Sequence, residues 1–327
     1  QAKAALADGR IRVAVGTHAL FQDDISFANL GLAVVDEQHR FGVAQRLALK
    51  NKGSSVHQLM MSATPIPRTL AMSFFADLDV SSIDSLPPGR TPIKTRLANN
   101  ARRTEIEGFV LANCRKGRQA YWVCPLIEES ETLQLQTAID TQAELQAALP
   151  ELKIGLVHGR MKPAEKAETM AAFAAGSLNV LVATTVIEVG VDVPNAALMV
   201  IEHAERMGLS QLHQLRGRVG RGAAAGTCVL LFAEPLGEVA KARLKVIYEN
   251  TDGFEIARRD LEIRGPGEFL GARQSGAPML RFADLSQDLH LLEAARELAP
   301  KLIAERMDIV EAHLERWLGS REGYLGA

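Results

Sequence analysis

The sequence predicts an α/β protein with two parallel-sheet lobes, the first truncated at its N-terminus, followed by a helical C-terminal region. Three observations indicate this class. Short apolar runs alternate with segments of helical period, a proline-rich stretch divides the runs into two sets, and long helical patterns replace them after Phe232. The runs are continuously apolar, which is typical of parallel strands covered by helices on both faces.

The predicted strands fall into two sets on either side of a linker. They are residues 11–15, 30–35 and 58–61 in the first set, and residues 120–123, 154–157, 180–183, 197–201 and 228–232 in the second. Residues 84–92 contain three prolines and a glycine, which favour neither helix nor strand. We therefore predict a first lobe at 1–86, a linker at 87–95, a second lobe at 96–235 and a helical region at 236–327.

Helical segments connect and follow these strands. Residues 162–175 predict a helix, with Pro163 in its first turn and Gly176 just past its end. Residues 237–250 and 285–317 show long helical patterns. Residues 128–149 are rich in Gln, Thr and Glu and predict a polar insertion or an exposed helix, to which we assign no chemistry.

Composition excludes several classes of protein. A net charge of −2 argues against a uniformly basic nucleic-acid binder but allows a local basic groove. Cys114, Cys124 and Cys228 form no C-x-x-C pair, which indicates buried free thiols in a reducing compartment. No apolar run reaches the roughly 18 residues that span a bilayer, and residues 1–10 show no signal-peptide pattern. These features predict a cytoplasmic protein without membrane association.

Two acids follow the apolar run 30–35. Asp36 and Glu37 stand at the carboxyl end of a predicted buried strand, where nucleotide-hydrolysing proteins hold Mg²⁺ and prepare water for attack on a γ-phosphate. Asp36 would hold the magnesium ion directly or through water, and Glu37 would orient or deprotonate the attacking water. Taken alone, the pair is equally compatible with a cap on the next helix.

A phosphate-binding loop of the G-x-x-x-x-G-K-[ST] type should precede such a strand. None of the 26 glycines is followed by lysine. The residues before Asp36 are too few to hold that loop with its strand and helix. We therefore expect this chain to be a fragment of a longer protein.

Hydroxyl side chains follow three other predicted strands. Ser62 and Thr64 lie on a turn after residues 58–61, where they could hydrogen-bond the acids. Thr17 ends the first predicted strand, and Thr184 begins a loop that runs through Gly190 to Asp192. Hydroxyls and free amides at such positions suit a nucleic-acid backbone. Each of these segments taken alone is compatible with an ordinary turn.

Residues 211–221 predict a helix that carries two arginines on one face. At 100° per residue, Gln214, Arg218 and Arg221 share a face opposite Leu212 and its apolar neighbours. Guanidinium groups match phosphate oxygens and stay charged, so such a pair suits the charge that develops on a transferring phosphoryl group. The alternative is a solvated basic face. The glycines at positions 217 and 220 cost helix stability and call for a reason such as close backbone approach.

Six motifs in order resemble the motor motifs of superfamily 2 helicases. They are residues 16–20, 36–43, 61–65, 157–161, 184–192 and 211–221. Over nearly the whole chain the sequence is similar to the RecG family of ATP-dependent DNA helicases. That resemblance implies two RecA-like lobes with ATP and Mg²⁺ bound between them.

The resemblance also implies roles for individual residues. The nucleotide-contacting residues would be Asp36, Glu37, His39, Gly190, Asp192, Arg218 and Arg221, with Gln214 beside the arginines. Residues 258–276 resemble the translocation motif of the family, which makes Arg258, Arg259, Arg264 and Gln274 candidates for coupling to DNA. The DNA-contacting residues would be Thr17, Ser62, Thr64, His158, Arg160 and Thr184. The run 264–267, Arg-Gly-Pro-Gly, is equally compatible with a tight turn between helices.

The implied partners are branched double-stranded DNA, namely forks and Holliday junctions, and a single-strand-binding protein, with the motor acting as a monomer. Two alternatives remain at this point. One is the motor of a transcription-repair coupling factor, which resembles Asp-Glu-Glu-His where this chain has Gln38. The other is a non-catalytic DNA-binding or regulatory fragment. Without the phosphate-binding loop and the family's wedge domain, we expect the fragment itself to be inactive.

Overall fold

A computed structural model describes most of the chain. The described residues are 2–22, 24–37, 49, 52–53, 56–62, 79–83, 85, 91–125, 131–184, 193–220, 222, 225–264 and 289–317. The chain divides into two compact units, one formed by Gln1–Ala63 with Ala283–Ala327 and the other by Thr64–Phe282.

The described part of the chain contains the following strands and helices. The strands are β1 (Leu32–Val35), β2 (His57–Met60), β3 (Lys94–Asn99), β4 (Gln119–Val123), β5 (Ile154–Val157), β6 (Val180–Ala183), β7 (Ala196–Ile201) and β8 (Thr227–Phe232). The helices are α1 (Ala2–Ala7), α2 (Arg103–Cys114), α3 (Glu131–Ala148), α4 (Pro163–Ala174), α5 (Leu209–Arg216), α6 (Glu238–Glu249), α7 (Gly253–Arg264), α8 (Leu289–Glu305) and α9 (Met307–Trp317).

The second unit is built on a six-stranded parallel sheet in the order β3-β8-β7-β4-β6-β5. Successive residues of β4 enter opposite core layers: Tyr121 and Val123 pack with apolar residues of α4, α5, α6 and α7, while Ala120 and Trp122 pack with residues of α2 and α3. This alternation buries both faces of the sheet, as continuously apolar strands require. The predicted α/β class with a doubly covered parallel sheet is confirmed.

The first unit contains a parallel pair, β1 and β2, whose register places Val35 opposite Met60. Ala33 and Val35 pack against Leu49 on one face of this pair. The prediction of a strand at residues 11–15 was wrong, because residues 11–16 are assigned to no strand and Val15 is 95% exposed.

Two further predictions need correction. The strand β3 was not predicted, because it lacks a continuous apolar run. Its lysine and arginine at positions 94 and 96 alternate with less exposed residues. The segment 128–149 contains α3, but this helix is not an exposed insertion. Its residues Ala138, Thr141 and Leu145 are at most 4% exposed, and α3 packs against β5 and β6.

The expectation of free, buried cysteines is confirmed for all three. Burial raises the pKa of the Cys114 thiol to about 11 and that of the Cys228 thiol to about 12, so both remain protonated near neutral pH. Within the described part of the chain, no helix is both long and apolar enough to span a membrane.

A buried polar network joins the start of α2 to the end of β7. The Glu202 carboxylate is the centre of this network and is 4% exposed. It accepts hydrogen bonds from Trp122 Nε1 at 2.8 Å and from Arg103 Nη1 at 2.5 Å. The Arg103 guanidinium also lies 5.3 Å from the Trp122 ring centroid. A buried carboxylate requires this cation, because an isolated charge in the core is very costly.

We predict that Glu202→Gln destabilises the second unit by about 3 kcal/mol, since the change removes the most deeply buried of the three carboxylates that pair with Arg103. Urea unfolding followed by Trp122 fluorescence in a Trp317→Phe background measures the effect. The matched control is Glu238→Gln on α6, whose carboxylate is 89% exposed beside Lys241 and should not shift the midpoint. Equal midpoints for Glu202→Gln and the control would contradict a structural role for the network.

Candidate functional site

The acid pair lies at the carboxyl edge of the β1–β2 sheet. Asp36 follows β1 directly and is exposed, whereas Glu37 is half-buried. The Glu37 N–H donates to Asp36 Oδ1 at 2.9 Å. Glu37 has a φ of 53°, a left-handed conformation that costs a glutamate about 1 to 3 kcal/mol and is concentrated at functional sites. The backbone is therefore strained at the residue predicted to handle the attacking water.

Ser62 belongs to the same edge. The Met61 N–H donates to Val35 O at 2.8 Å, which brings the chain after β2 alongside the chain that enters the acid pair. Carboxylate and hydroxyl oxygens are ligands suited to Mg²⁺, which keeps several waters and needs few protein ligands. Among the described residues, no group of three or more His, Cys, Asp or Glu side chains could hold a metal ion. The donor set fits a magnesium ion held partly through water.

Thr17 precedes a short 3-10 helix, His18–Phe21, in the first unit. Its carbonyl accepts from the Leu20 N–H at 3.0 Å, while its side chain makes no capping hydrogen bond. The hydroxyl is thus exposed on a turn, as the sequence analysis expected, although the residues before it are not a strand.

In the second unit, two polar side chains follow the neighbouring strands β5 and β6. Thr184 is 3% exposed, and its N–H donates to Val157 O at 3.3 Å. Within the described part of the chain, neither Thr184 Oγ1 nor His158 Nδ1 has a hydrogen-bond partner, although both atoms are buried. Two orphaned polar atoms at one sheet edge mark a place where a polar ligand would restore lost hydrogen bonds.

The charge around His158 is positive. Burial, followed by the neighbouring Lys166 and Arg160, lowers the pKa of His158, and Glu165 only partly opposes this shift. The imidazole is therefore neutral at physiological pH and keeps one nitrogen as an acceptor. Lys166 Nζ donates to Gly159 O at 3.2 Å, which holds a lysine beside the turn that carries Arg160.

The predicted helix at 211–221 is shorter than expected. α5 ends at Arg216, and Gly217 caps it by donating to His213 O at 3.0 Å. The placement of Arg218 on the helix face of Gln214 was therefore wrong. Arg218 is half-buried on the turn that follows α5, where its N–H donates to Leu215 O at 2.9 Å.

Two backbone segments come so close together in this turn that position 220 requires a glycine. Gly220 has a φ of +69°, and a Cβ there would lie 3.0 Å from Gly226 Cα. Gly222 lies even closer to the chain before β7, since a Cβ there would be 2.4 Å from Pro194 O. The turn that carries Arg218 therefore lies close to the starts of both β7 and β8. A residue larger than glycine at position 220 or 222 would displace this turn.

The coupling candidates on α7 are engaged in an ion-pair network. Arg258 pairs with Glu255 at 2.7 Å and also with Glu262, while Arg259 pairs with Glu255 at 2.9 Å and with Glu262 at 3.5 Å. The Arg258 and Arg259 guanidinium groups lower the pKa of Glu255 to about 2. Both arginines are about half exposed, so they remain accessible to a partner that competes with the glutamates.

Several predicted site residues lie outside the described part of the chain. They are His39, Thr64, Gly190, Asp192, Arg221 and Gln274. Arg264 is the last residue of α7, and only its backbone is described.

The sequence analysis missed two buried charged residues of the second unit. Glu202 follows the apolar strand β7 directly, just as Asp36 follows β1. This position after an apolar run is the signal that could have identified Glu202. Arg216 is 3% exposed, and at 100° per residue it falls on the apolar face with Leu212 and Leu215. An arginine on an apolar helix face is the signal that could have found it.

Two family models match the chain. The helicase conserved C-terminal domain matches residues 103–223, and the C-terminal part of domain 3 of the ATP-dependent DNA helicase RecG matches residues 250–315. The first match contains the six-stranded sheet apart from β3 and β8, and the second contains α7, α8 and α9.

Individual relatives extend the similarity to nearly the whole chain. The ATP-dependent DNA helicase RecG of Acidithiobacillus ferridurans is 58% identical over 98% of this chain and 47% of that protein. The RecG of Escherichia coli K12 is 56% identical over 99% of this chain and 47% of that protein. The chain thus spans about half the length of the curated relatives it matches.

A solved structure agrees with these matches. RecG bound to a three-way DNA junction is 48% identical, with a TM-score of 0.66 over 89% of this chain and 37% of that chain. The sequence left open the RecG family and the transcription-repair coupling factors, and the relatives support the RecG family. The chain belongs to the RecG family of ATP-dependent DNA helicases.

Proposed function

We propose that this chain is the motor part of an ATP-dependent double-stranded DNA translocase that remodels stalled forks and branched recombination intermediates such as Holliday junctions. The observation that carries the proposal is the acid pair at the end of β1, with Glu37 held at a φ of 53°. Nucleotide-hydrolysing enzymes place carboxylates at this edge of a parallel sheet. The relative bound to a three-way DNA junction supports branched DNA as the substrate.

The residues of the two lobes have separate tasks in this proposal. Asp36 holds Mg²⁺, mainly through water, and Glu37 orients or deprotonates the attacking water. Arg218 and Arg221 stabilise the charge on the transferring phosphoryl group, and Gln214 on α5 assists on the basis of the family resemblance. When bound, Mg²⁺ would supply positive charge that neutralises the phosphates. His39, Gly190 and Asp192 complete the nucleotide contacts on the basis of the family resemblance.

DNA contacts form at the sheet edges. Thr184 and His158 offer unsatisfied buried atoms, and Arg160 adds a positive charge beside them. Backbone phosphates are the ligands that such hydroxyl, imidazole and guanidinium groups prefer. Thr17, Ser62 and Thr64 make the corresponding contacts in the first lobe. Coupling to DNA movement involves Arg258, Arg259, Arg264 and Gln274.

We predict that the 327-residue chain shows negligible DNA-stimulated ATP turnover, because its sequence contains no G-x-x-x-x-G-K-[ST] loop to hold the phosphates. A version extended upstream to include such a loop should hydrolyse ATP when branched DNA is added. Steady-state phosphate release from the two proteins makes the comparison. Substantial turnover by the shorter chain would contradict the proposal.

We predict that Glu37→Gln in the extended protein retains ATP binding but lowers turnover by about 10²- to 10⁴-fold, the usual contribution of a general base. Glu238→Gln, which removes an exposed carboxylate of α6, is the matched control and should turn over ATP normally. Nucleotide binding is measured by fluorescence titration, and turnover by phosphate release. Unchanged turnover in Glu37→Gln would exclude this carboxylate as the catalytic base.

We predict that Arg258→Ala combined with Arg259→Ala leaves DNA-stimulated ATP turnover largely intact while fork unwinding falls. The two side chains lie on the helix surface, and exposed ion pairs add little to stability. Lys241→Ala removes a comparable ion-paired cation from α6 and should change neither activity. An equal loss of turnover and unwinding in the double variant would argue against a coupling role.

A further inference from the structure

Arg216 is a fully buried arginine that the proposed mechanism does not use. It is the last residue of α5 and is 3% exposed. Burial lowers the pKa of its guanidinium, but an arginine pKa starts so high that the group stays charged at neutral pH. A charge in the core needs several good hydrogen bonds to be tolerated.

Among the described residues, Arg216 contacts two carbonyl oxygens, one hydroxyl and one imidazole nitrogen, and no carboxylate. Nη1 donates to Ile247 O and Asn250 O, each at 2.8 Å, and to Thr95 Oγ1 at 3.2 Å. Nη2 lies 3.0 Å from His213 Nδ1, which accepts when the imidazole is neutral and carries its proton on Nε2. These bonds link the end of α5 to the strand β3 and to the end of α6.

Two of these acceptors are carbonyl groups at the C-terminus of α6. Carbonyls in the last turn of a helix lack intrahelical donors and form the negative end of its dipole. A guanidinium there supplies the missing donors and a favourable charge. Arg216 therefore acts as a C-terminal cap on a helix other than its own.

α7 begins close in sequence to the end of α6 that Arg216 caps. Asn250 is the C-terminal flanking residue of α6, and α7 starts at Gly253. Asp252 Oδ1 accepts from the Phe254 N–H at 3.0 Å, which fixes the first turn of α7. Since α7 packs against both α5 and α6, the position of the cap determines where α7 starts.

The backbone of Arg216 belongs to the turn that carries Arg218. The carbonyl of Arg216 accepts from the Val219 N–H at 3.4 Å, and Gly217 caps α5 in between. Arg216 thus contacts the turn that carries Arg218 through its main chain. Through its side chain it contacts the end of α6, just before α7.

We propose that Arg216 is a positioning residue that holds the turn carrying Arg218 and the start of α7 in one fixed arrangement. A displacement of the turn is then passed to α7 and its arginines. This inference rests on the proposed function for its purpose, because only an ATP-driven motor needs the two segments to move together. The arrangement itself is testable without activity.

Hydrogen–deuterium exchange on the 327-residue chain tests the arrangement. Arg216→Met keeps a long side chain but removes every donor, and exchange should rise selectively at residues 217–220 and 251–256. Arg216→Lys keeps one cation and should restore part of the protection. Arg206→Met, which removes an exposed arginine of the same unit, is the matched control and should match the parent chain.

The pattern of exchange decides the inference. Unchanged protection at both segments would overturn it, and so would an equal rise across the strands β4, β6 and β7, because that result indicates a general packing role. Thr95→Val removes one acceptor with little change in volume and serves if the methionine variant does not fold. It should give the same selective pattern with a smaller amplitude, and no selectivity would overturn the inference.

Activity in the upstream-extended protein provides a second measurement. The number of base pairs unwound per ATP hydrolysed should fall about three- to tenfold in Arg216→Lys, the size expected when a coupling contact is weakened. If the rate of unwinding and the rate of ATP hydrolysis fall together at a constant ratio, the coupling role is overturned. If the parent protein itself shows no ATP turnover, the proposed function fails, while the exchange experiment still decides whether Arg216 holds the two segments.

Discussion

The parallel order of the strands in the second unit is the constraint on which its candidate site depends. Parallel neighbours end at the same edge of a sheet, so residues distant in sequence are delivered together. β5 and β6 pair from Ile154 to Val157, which places His158 and Thr184 at adjacent strand ends. A parallel sheet also needs connecting helices on both faces, and those helices bring α5 and its turn to the sheet.

Arg103, which is partly buried, and Arg216, which is buried, stabilise this unit by different physical means. Arg103 is surrounded by carboxylates, with Glu202 at 2.5 Å and Glu107 at 3.2 Å, and its attraction to them depends mainly on charge. Arg216 binds uncharged oxygen and nitrogen acceptors, and its attraction depends on the direction of each bond. A lysine can replace part of the first interaction, but it lacks the planar fork that the second one uses.

The sequence allowed good prediction of elements whose signal is local. β5 and β6 coincide with the predicted runs because each is continuously apolar, and α4 begins at Pro163 as its capping pattern indicated. Long-range contacts limited the prediction of the helix at 211–221. This helix ends at Arg216, and the turn after it brings Gly220 against Gly226, a contact about which side-chain periodicity contains no information.

The same distinction holds for the candidate site. The position of Asp36 and Glu37 at a strand end could be predicted because the acids directly follow an apolar run. The partnership of Glu202 with Arg103 could not, since 99 residues separate the two side chains and only the folded sheet brings them together. The left-handed conformation of Glu37 was equally invisible, because no glycine or asparagine marks it.

The ion-pair network on α7 has a consequence for how a motor of this kind would respond to salt. Arg258 and Arg259 already have counter-ions in Glu255 and Glu262, which are part of the protein. A phosphate that binds these arginines displaces tethered carboxylates, whereas the usual gain in DNA binding comes from releasing mobile ions into solution. If α7 contacts DNA as proposed, its contribution to binding would therefore be small and would depend only weakly on salt.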